Sequence, residues 1–477
     1  MLVQKAWLCI WHLIIGFDSF LRTLIFIAVF LPFMSRYNFP AEFINRIQHF
    51  HSITEDDFMI GMEREVPVSV RLNPFKPSDL FSGHDPVSWA SNAFYLPKRI
   101  SFTLDPLFHA GCYYVQEASS MFLETALNHA VDLSQPLKVL DLCAAPGGKS
   151  THLISLLSSD SLLVSNEVIP ARNKILQQNL TSWGASNRVV TQNKAADFER
   201  LPGFFDVLVV DAPCSGEGLF RKDPDAVKEW SVQNVEMCSR RQSVILEEAT
   251  VCLREGGVLI YSTCTFETSE NDDQIRKLIS DDSFELIEIP APAGVVKTAF
   301  GCQFYPHLIN GEGFYIAALR KTKAENQTAG KSKIAFAEKH RPELKKWLKD
   351  DSAFLPYHAD DQLYAIPKHM ADDFAALKSN LYIRHAGIHL GKMIRDEIIP
   401  DHDLAMSIEI NKEIRSVELD LNAAISYLRC ESVNVDPSLK PGWCVVTYKN
   451  HALGWIKVLK GRTNNYFPVS QRILMRP

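Results

Sequence analysis

The sequence predicts an α/β protein built on a doubly wound, mostly parallel sheet, with smaller modules before and after it. Between Leu137 and Lys321 the apolar runs KVLDL, LLVSNEV, RVVTQN, DVLVVDA, GVLIYST, SFELIEI and GFYIAALR alternate with helical stretches. Strands separated by helices imply parallel crossovers. The chain has 477 residues, too long for one ordinary domain, and about three are expected at roughly 150 residues each. Hydrophobic residues make up 46% and charged residues 22% of the chain. Those shares are close to the averages of soluble globular proteins, and with no fixed-period repeat they exclude a disordered or solenoid class.

Taken in order, residues 1–33 are strongly apolar but are broken by Asp18 and Arg22. Neither uncharged flank reaches the roughly 18–20 residues that span hydrocarbon, and no small-residue cleavage site follows a compact charged region. Translation is expected to start at Met34, with residues 1–33 an extension outside the fold; a weak membrane anchor is the other reading. Residues 34–130 open on a helix (AEFINRIQHF) and continue in short strand-like and turn-rich pieces, a small α/β module. Residues 131–321 hold the parallel sheet. A polar stretch follows (322–335, beginning KTKAENQTAGKS) that reads as a linker, and residues 336–477 form a further C-terminal region.

The net charge of −6 gives no global basic field, so a polyanionic partner must be met by a local cationic patch. The ten cysteines are scattered singly, without CxxC pairs. That pattern fits neither a disulfide framework nor a zinc site and suits a reducing cytosol.

The strand KVLDL ends at Asp141 and runs into CAAPGGKS before a helix. Ligands of open α/β sheets bind at such strand ends. The small residues of the turn, Ala144, Ala145, Pro146, Gly147 and Gly148 between Cys143 and Lys149, let backbone N–H groups approach a ligand closely. Glu167 ends the next strand, where an acidic side chain grips ribose hydroxyls in nucleotide-binding folds. The turn is neither GxGxxG nor GxxxxGK[ST], which argues against a dinucleotide or a P-loop triphosphate. A tight turn that only packs a helix on a sheet would have the same composition.

Two further strands end in chemistry-bearing residues. DVLVVDA leads into Asp211-Ala212-Pro213-Cys214-Ser215-Gly216, and GVLIYS ends in Thr263-Cys264-Thr265. Parallel strands point the same way, so both thiols, Asp211 and the glycine turn should converge on one rim. Such a set suits methylation of cytosine C5. That carbon is too weak a nucleophile to take a methyl group unaided, so a thiolate must first add at C6, an acid must stabilise the ring near N3, and a base must remove the C5 proton. Lys149 would favour the thiolate. Burial as small apolar side chains is the commoner fate of cysteine, and it is the reading adopted for Cys112, Cys238, Cys252, Cys302, Cys430 and Cys444.

At DLCAAPGGKS, DAPCSGEGLFRKDPDA, YSTCT and YYVQEASSM the chain resembles the RNA cytosine-C5 methyltransferases of the Nop2/Sun family, above all the bacterial 16S ribosomal RNA branch of RsmB/RsmF type. The resemblance runs from about Ser69 to the C-terminus. It implies a Rossmann-like class I methyltransferase domain with a seven-stranded sheet, an N-terminal α/β RNA-binding module and a C-terminal PUA-like β domain. It also implies S-adenosylmethionine as cofactor, held by Cys143 to Lys149 with Glu167. By the same resemblance Cys264 is the nucleophile, Cys214 serves product release, Asp211 contacts the cytosine and Lys149 lies beside the catalytic group. One departure stands out: the aspartate that commonly meets the adenine amino group is replaced by Lys194, leaving Asp197 as a candidate three residues on.

Expected RNA contacts are Arg221 and Lys222 after the DAPCSG loop, Arg71 and Asn73 in SVRLNPFK, and Lys457, Lys460 and Arg462 in the tail. The tail has no acidic residue after Asp436 and interleaves its cations with Trp443, Tyr448, Trp455, Tyr466 and Phe467, a mixture suited to phosphate contact and base stacking. About half of these aromatics would serve as core on ordinary burial statistics. Ribosomal RNA is the favoured substrate. Transfer RNA, and a non-catalytic assembly factor on the same fold, are the alternatives; the paired cysteines argue against the latter and against small-molecule or protein methylation. A cytoplasmic monomer is expected, with no metal, DNA or membrane partner.

Overall fold

The structure is a computed structural model that describes residues 39–475 apart from 52, 325–332 and 396. The expectations for residues 1–33 and for part of the 322–335 linker therefore fall outside the described residues. The described residues begin with two helices, α1 (Ala41–His51) and α2 (Glu55–Glu63). The Thr54 hydroxyl caps α2 by accepting the Asp57 N–H at 3.1 Å, which satisfies one of the helix's unpaired donors. Strands β1 (Val68–Leu72), β2 (Ala93–Leu96) and β3 (Tyr113–Val115) form an antiparallel sheet in the order β2-β1-β3. Helix α3 (Leu123–Ala130) leads to the main sheet.

That sheet contains β4 (Lys138–Asp141), β5 (Leu162–Asn166), β6 (Arg188–Thr191), β7 (Phe205–Asp211), β8 (Leu253–Thr263), β9 (Phe284–Ile287), β10 (Val296–Lys297), β11 (Cys302–Phe304) and β12 (Phe314–Lys321). All seven strands read from the apolar runs are present. Helices α4 (Gly148–Leu156), α5 (Pro170–Trp183), α6 (Val232–Ala249) and α7 (Asp272–Ser280) lie between them. The central five strands run parallel in the order β8-β7-β4-β5-β6, with β12 antiparallel beside β8. Chain order reverses between β4 and β7, the kind of switch point at which open α/β sheets bind ligands. Val207 to Val210 of β7 are wholly buried, as both-face coverage of a parallel strand requires. Each such side chain contributes about 1.5–3 kcal/mol.

The short β10 and β11 extend one edge beyond the seven predicted strands. The opposite edge is closed by β15 (Ile383–Ala386), a strand from the C-terminal region that pairs antiparallel with β6. Covering an edge in this way removes a row of unpaired backbone groups. The junction also carries a buried ion pair, since Arg188 on β6 bonds to Asp403, which in turn accepts from His385 Nε2 at 2.9 Å. Burial alone would raise the Asp403 carboxyl, yet Arg188 and His385 hold it well below the usual carboxylate range.

Before β15, β13 (Phe354–Ala359) and β14 (Gln362–Pro367) begin a four-stranded antiparallel sheet that β16 (Ile388–Ile394) and β17 (Glu397–Pro400) complete. The chain ends in a sheet of β18 (Ser416–Glu418), β19 (Gly442–Tyr448), β20 (His451–Leu459) and β21 (Arg462–Asn465). Its core residues Tyr427, Val446 and Ile456 share one cluster with Val70 and Tyr113 of the N-terminal sheet, so the first and last modules are packed together. No helix among the described residues is long and apolar enough to cross a membrane.

Candidate active site

Asp141 and Asp211 end the adjacent strands β4 and β7, Ser262 is the last residue but one of β8, and the register sets Asp211 opposite Ser262 and Asp141 opposite Val209. Asp141 is fully buried, and its Oδ2 accepts a 2.6 Å hydrogen bond from Ser150. Its Oδ1 has no partner among the described residues. Burial pushes this carboxyl up to about 7. A buried carboxylate oxygen without a donor is costly, and this one lies at the strand end where the sequence places the cofactor; it fits a ligand that brings a donor. Glu167 is buried beyond β5, accepting the Ile169 N–H at 2.9 Å, with Arg172 Nη1 3.4 Å away.

The glycine turn works differently from the expectation that its missing side chains make room for a ligand. Gly147 has φ +113°, a conformation that disfavours any other residue, and a Cβ there would come within 3.3 Å of Leu176 on α5. A Cβ on Gly148 would come as close to the Tyr114 ring. These glycines let α5 and the N-terminal module pack tightly beneath the turn, while Pro146 is exposed and Cys143 half-buried. Ala144 and Ala145 are buried against Leu176 and Leu180.

The two cysteine loops meet. Cys214 Sγ lies 3.2 Å from Cys264 Sγ, and both thiols are half-buried. The hydrogen bond to Cys264, and then burial, push the Cys214 thiol well above its ordinary value. Lys149 Nζ sits 2.9 Å from Asp211 Oδ2, and Ser262 donates to Asp211 Oδ1 at 2.8 Å. Burial opposes the charge on Lys149, but Asp211, with smaller contributions from Asp141 and Cys264, outweighs it and raises the ammonium above its usual value.

Beneath the thiols runs a polar network that sequence reasoning missed. Ser215 Oγ and Thr265 Oγ1 are 2.8 Å apart and join the two loops. Thr265 donates to the buried Glu217 at 2.9 Å, which also accepts from Trp230 Nε1 at 2.7 Å. Gly218 donates to the Cys264 carbonyl at 2.8 Å, and a Cβ on it would collide with the Gly313 carbonyl at 2.3 Å. Glu270 is buried and pushed up to about 7 by burial. Thr265 adjoins the motif cysteine and Ser262 lies two residues before it, so both could have been suspected, whereas nothing local marks Glu270 or Gln242.

Three residues expected to touch RNA are buried instead. Arg71 is 2% exposed, bonds to Gln116 Oε1 at 3.0 Å and Thr151 Oγ1 at 2.7 Å, and lies 4.7 Å over the Trp183 ring. Asn73 donates to the carbonyls of Gly111 and Trp183 at 2.8 and 2.9 Å. Both fasten the N-terminal sheet to α4 and α5. Arg221, 3% exposed, pairs with the buried Glu312 at 3.1 Å. Buried and already bonded, these groups cannot reach a phosphate, so the expectation is corrected for all three. Lys222, Lys460 and Arg462 are exposed, and Lys457 lies 5.1 Å over the Trp443 ring. Asp197 closes a short 3-10 turn by accepting the Lys194 N–H at 2.9 Å and pairs with Arg200, a local role beside which any ligand contact would be secondary.

Among known proteins, residues 129–320 match the family described as 16S rRNA methyltransferase RsmB/F. Residues 39–118 match the N-terminal domain of 16S rRNA methyltransferase RsmF, and residues 414–473 its PUA domain. The small-subunit ribosomal RNA methyltransferase F of Shewanella woodyi is 31% identical over 450 residues, 87% of this chain and 92% of that one. The chain belongs to the RsmB/F family. Another relative, methyltransferase F of Pectobacterium atrosepticum, is 28% identical over 90% of this chain and 95% of its own. The crystal structure of PH0851 has the same fold, with a TM-score of 0.53 and 24% identity over 59% of this chain and 66% of that one. The matched central sheet is thus preceded by a segment that matches the RsmF N-terminal domain and followed by one that matches the RsmF PUA domain.

Proposed function

We propose that this chain methylates C5 of a cytosine in 16S ribosomal RNA, with Cys264 as nucleophile and Cys214 as the residue that permits release. The observation that supports this chemistry is the 3.2 Å approach of the two sulfurs beside the Lys149–Asp211 pair; the division of roles between the two cysteines follows the resemblance to the family. S-Adenosylmethionine supplies an electrophilic methyl group. The residues suited to hold it are Cys143 to Lys149 and Glu167, with Asp141 Oδ1 ready to accept a donor; Asp197 is a peripheral candidate.

Lys149 stands nearby to stabilise negative charge, and Cys264 acts as its thiolate. Its sulfur adds to C6 of the ring, and electron density moves to C5. Asp211, fixed from both sides by Lys149 and Ser262, meets the pyrimidine near N3. After C5 is methylated, Cys214 releases its own proton to solvent and as a thiolate takes the C5 proton; the C5–H electron pair forms the C5–C6 double bond, and the C6–sulfur bond breaks with its pair returning to Cys264 as thiolate. RNA is gathered by Lys222 and by the tail, where Lys457 lies over Trp443, whose ring meets Tyr466, and Lys460 and Arg462 are exposed. The chain acts as a cytoplasmic monomer that needs neither metal nor DNA; the unpaired state of all described cysteines supports a reducing compartment.

Bisulfite sequencing of ribosomal and transfer RNA from a strain lacking the gene tests this reading. One methylcytosine should vanish from small-subunit ribosomal RNA. An unchanged profile overturns the assignment, and a loss confined to transfer RNA redirects it.

A further inference from the structure

Cys214 is held from both sides by a buried pair of side chains that, among the described residues, makes no hydrogen bond to either sulfur. Gln242, on α6, is 0% exposed and donates through Nε2 to the Pro213 carbonyl at 3.0 Å and to Glu270 Oε2 at 2.7 Å. The same Glu270 oxygen accepts the Ser215 N–H at 3.0 Å. Pro213 and Ser215 are the immediate neighbours of Cys214, so one bridged unit fixes the peptide before the thiol and the peptide after it. Glu270 is fixed in turn, since Tyr261 on β8 donates to its backbone carbonyl at 2.6 Å. Gln242 Oε1 and Glu270 Oε1 have no partner among the described residues.

Cys264 is held by other groups: its carbonyl accepts from Gly218, and its neighbour Thr265 bonds to Glu217, both further along the Cys214 loop. The two loops therefore touch through the sulfurs, the Ser215–Thr265 contact, Gly218 and Glu217, whereas Glu270 and Gln242 bond to the peptides on either side of Cys214.

We propose that Glu270 and Gln242 are positioning residues dedicated to the release step: they place the Cys214 sulfur where it can take the C5 proton, and leave addition by Cys264 unaffected. This rests on the roles assigned to the two cysteines above. A misplacement of about 1 Å at a reacting group lowers a rate by roughly a hundredfold. Loss of the clamp slows the breakdown of the covalent RNA adduct more than its formation.

The test compares Cys214→Ala, Glu270→Met, Gln242→Met and Glu270→Gln in the full chain, incubated with in vitro transcribed 16S ribosomal RNA and S-adenosylmethionine. The readouts are the fraction of protein that survives denaturing electrophoresis as an RNA adduct, the turnover rate and the unfolding midpoint. Both methionine variants should accumulate adduct as Cys214→Ala does, with turnover down roughly a hundredfold. Glu270→Gln, which keeps an acceptor for the Ser215 N–H, should recover part of the turnover. If Cys214→Ala accumulates adduct and neither methionine variant does so at a temperature where both remain folded, the clamp is refuted and the cysteine roles stand. If Cys214→Ala itself accumulates none, the cysteine roles fall and the clamp falls with them.

Discussion

The rim of the central sheet and the C-terminal sheet both carry charged and polar residues suited to RNA chemistry, but they hold them in opposite ways. At the rim Lys149, Asp211 and the two thiols are half-buried, and each is fixed by a neighbour: Ser262 on Asp211, Asp211 on Lys149, Cys264 on Cys214. In the tail, Lys460 and Arg462 stand exposed, and Lys457 rests on the face of Trp443, whose ring meets Tyr466 at 4.5 Å. The difference follows from the two tasks. Bond making needs groups preorganised in a site of low dielectric, whereas gathering a polyanion needs cations that stay hydrated and pair with phosphates on contact. Arg221 and Lys222 show the same divide within two residues, one sealed against Glu312 and the other exposed to solvent.

The sharpest way to break this contrast is at the rim. Cys264→Ala should abolish both turnover and covalent adduct, with activity falling by at least about ten-thousandfold, while Cys214→Ala should trap protein on RNA. The reverse pattern on a denaturing gel would exchange the two roles. Next in size is Arg221→Ala, which strands the buried Glu312 carboxylate and should cost about 3–5 kcal/mol in denaturant unfolding; the adjacent Lys222→Ala should stay within about 0.5 kcal/mol. Equal effects would mean that the two neighbours are not divided as described. Trp443→Ala should weaken RNA binding by about 1–3 kcal/mol through lost stacking, read by filter binding, with turnover at saturating RNA unchanged. The smallest effect per residue belongs to Lys457, Lys460 and Arg462. Replacing each by alanine should lower the slope of log affinity against log salt by roughly 0.7–0.9 for every phosphate contact removed. A slope that does not move would place the RNA elsewhere.

Much of the rim was legible because its residues sit next to strand ends in sequence. Asp141, Asp211, Cys214 and Cys264 each follow an apolar run, and parallel strands carry such residues to one edge whatever the helices between them contain. The basic residues were harder to read. A guanidinium looks the same in a sequence whether it faces a phosphate or a buried carboxylate, so Arg71 and Arg221 were assigned to RNA although their partners, Thr151 and Glu312, lie 80 and 91 residues away. The edge strand β15 was invisible for a related reason. Its four residues, IRHA, carry no alternating or continuous apolar pattern, and the pairing with β6 spans nearly two hundred positions.

By itself the sequence determined the parallel sheet, the order of its strands' catalytic termini and the pairing of two thiols with an aspartate, since local periodicity and strand-end position suffice for each. Only the tertiary structure decided which arginines are sealed inside, that the glycines of the turn serve packing beneath it, and that Glu270 and Gln242 clasp the loop of Cys214. Those outcomes depend on burial and on partners distant in the chain, and the free energy of a charge or an amide is set by what surrounds it after folding.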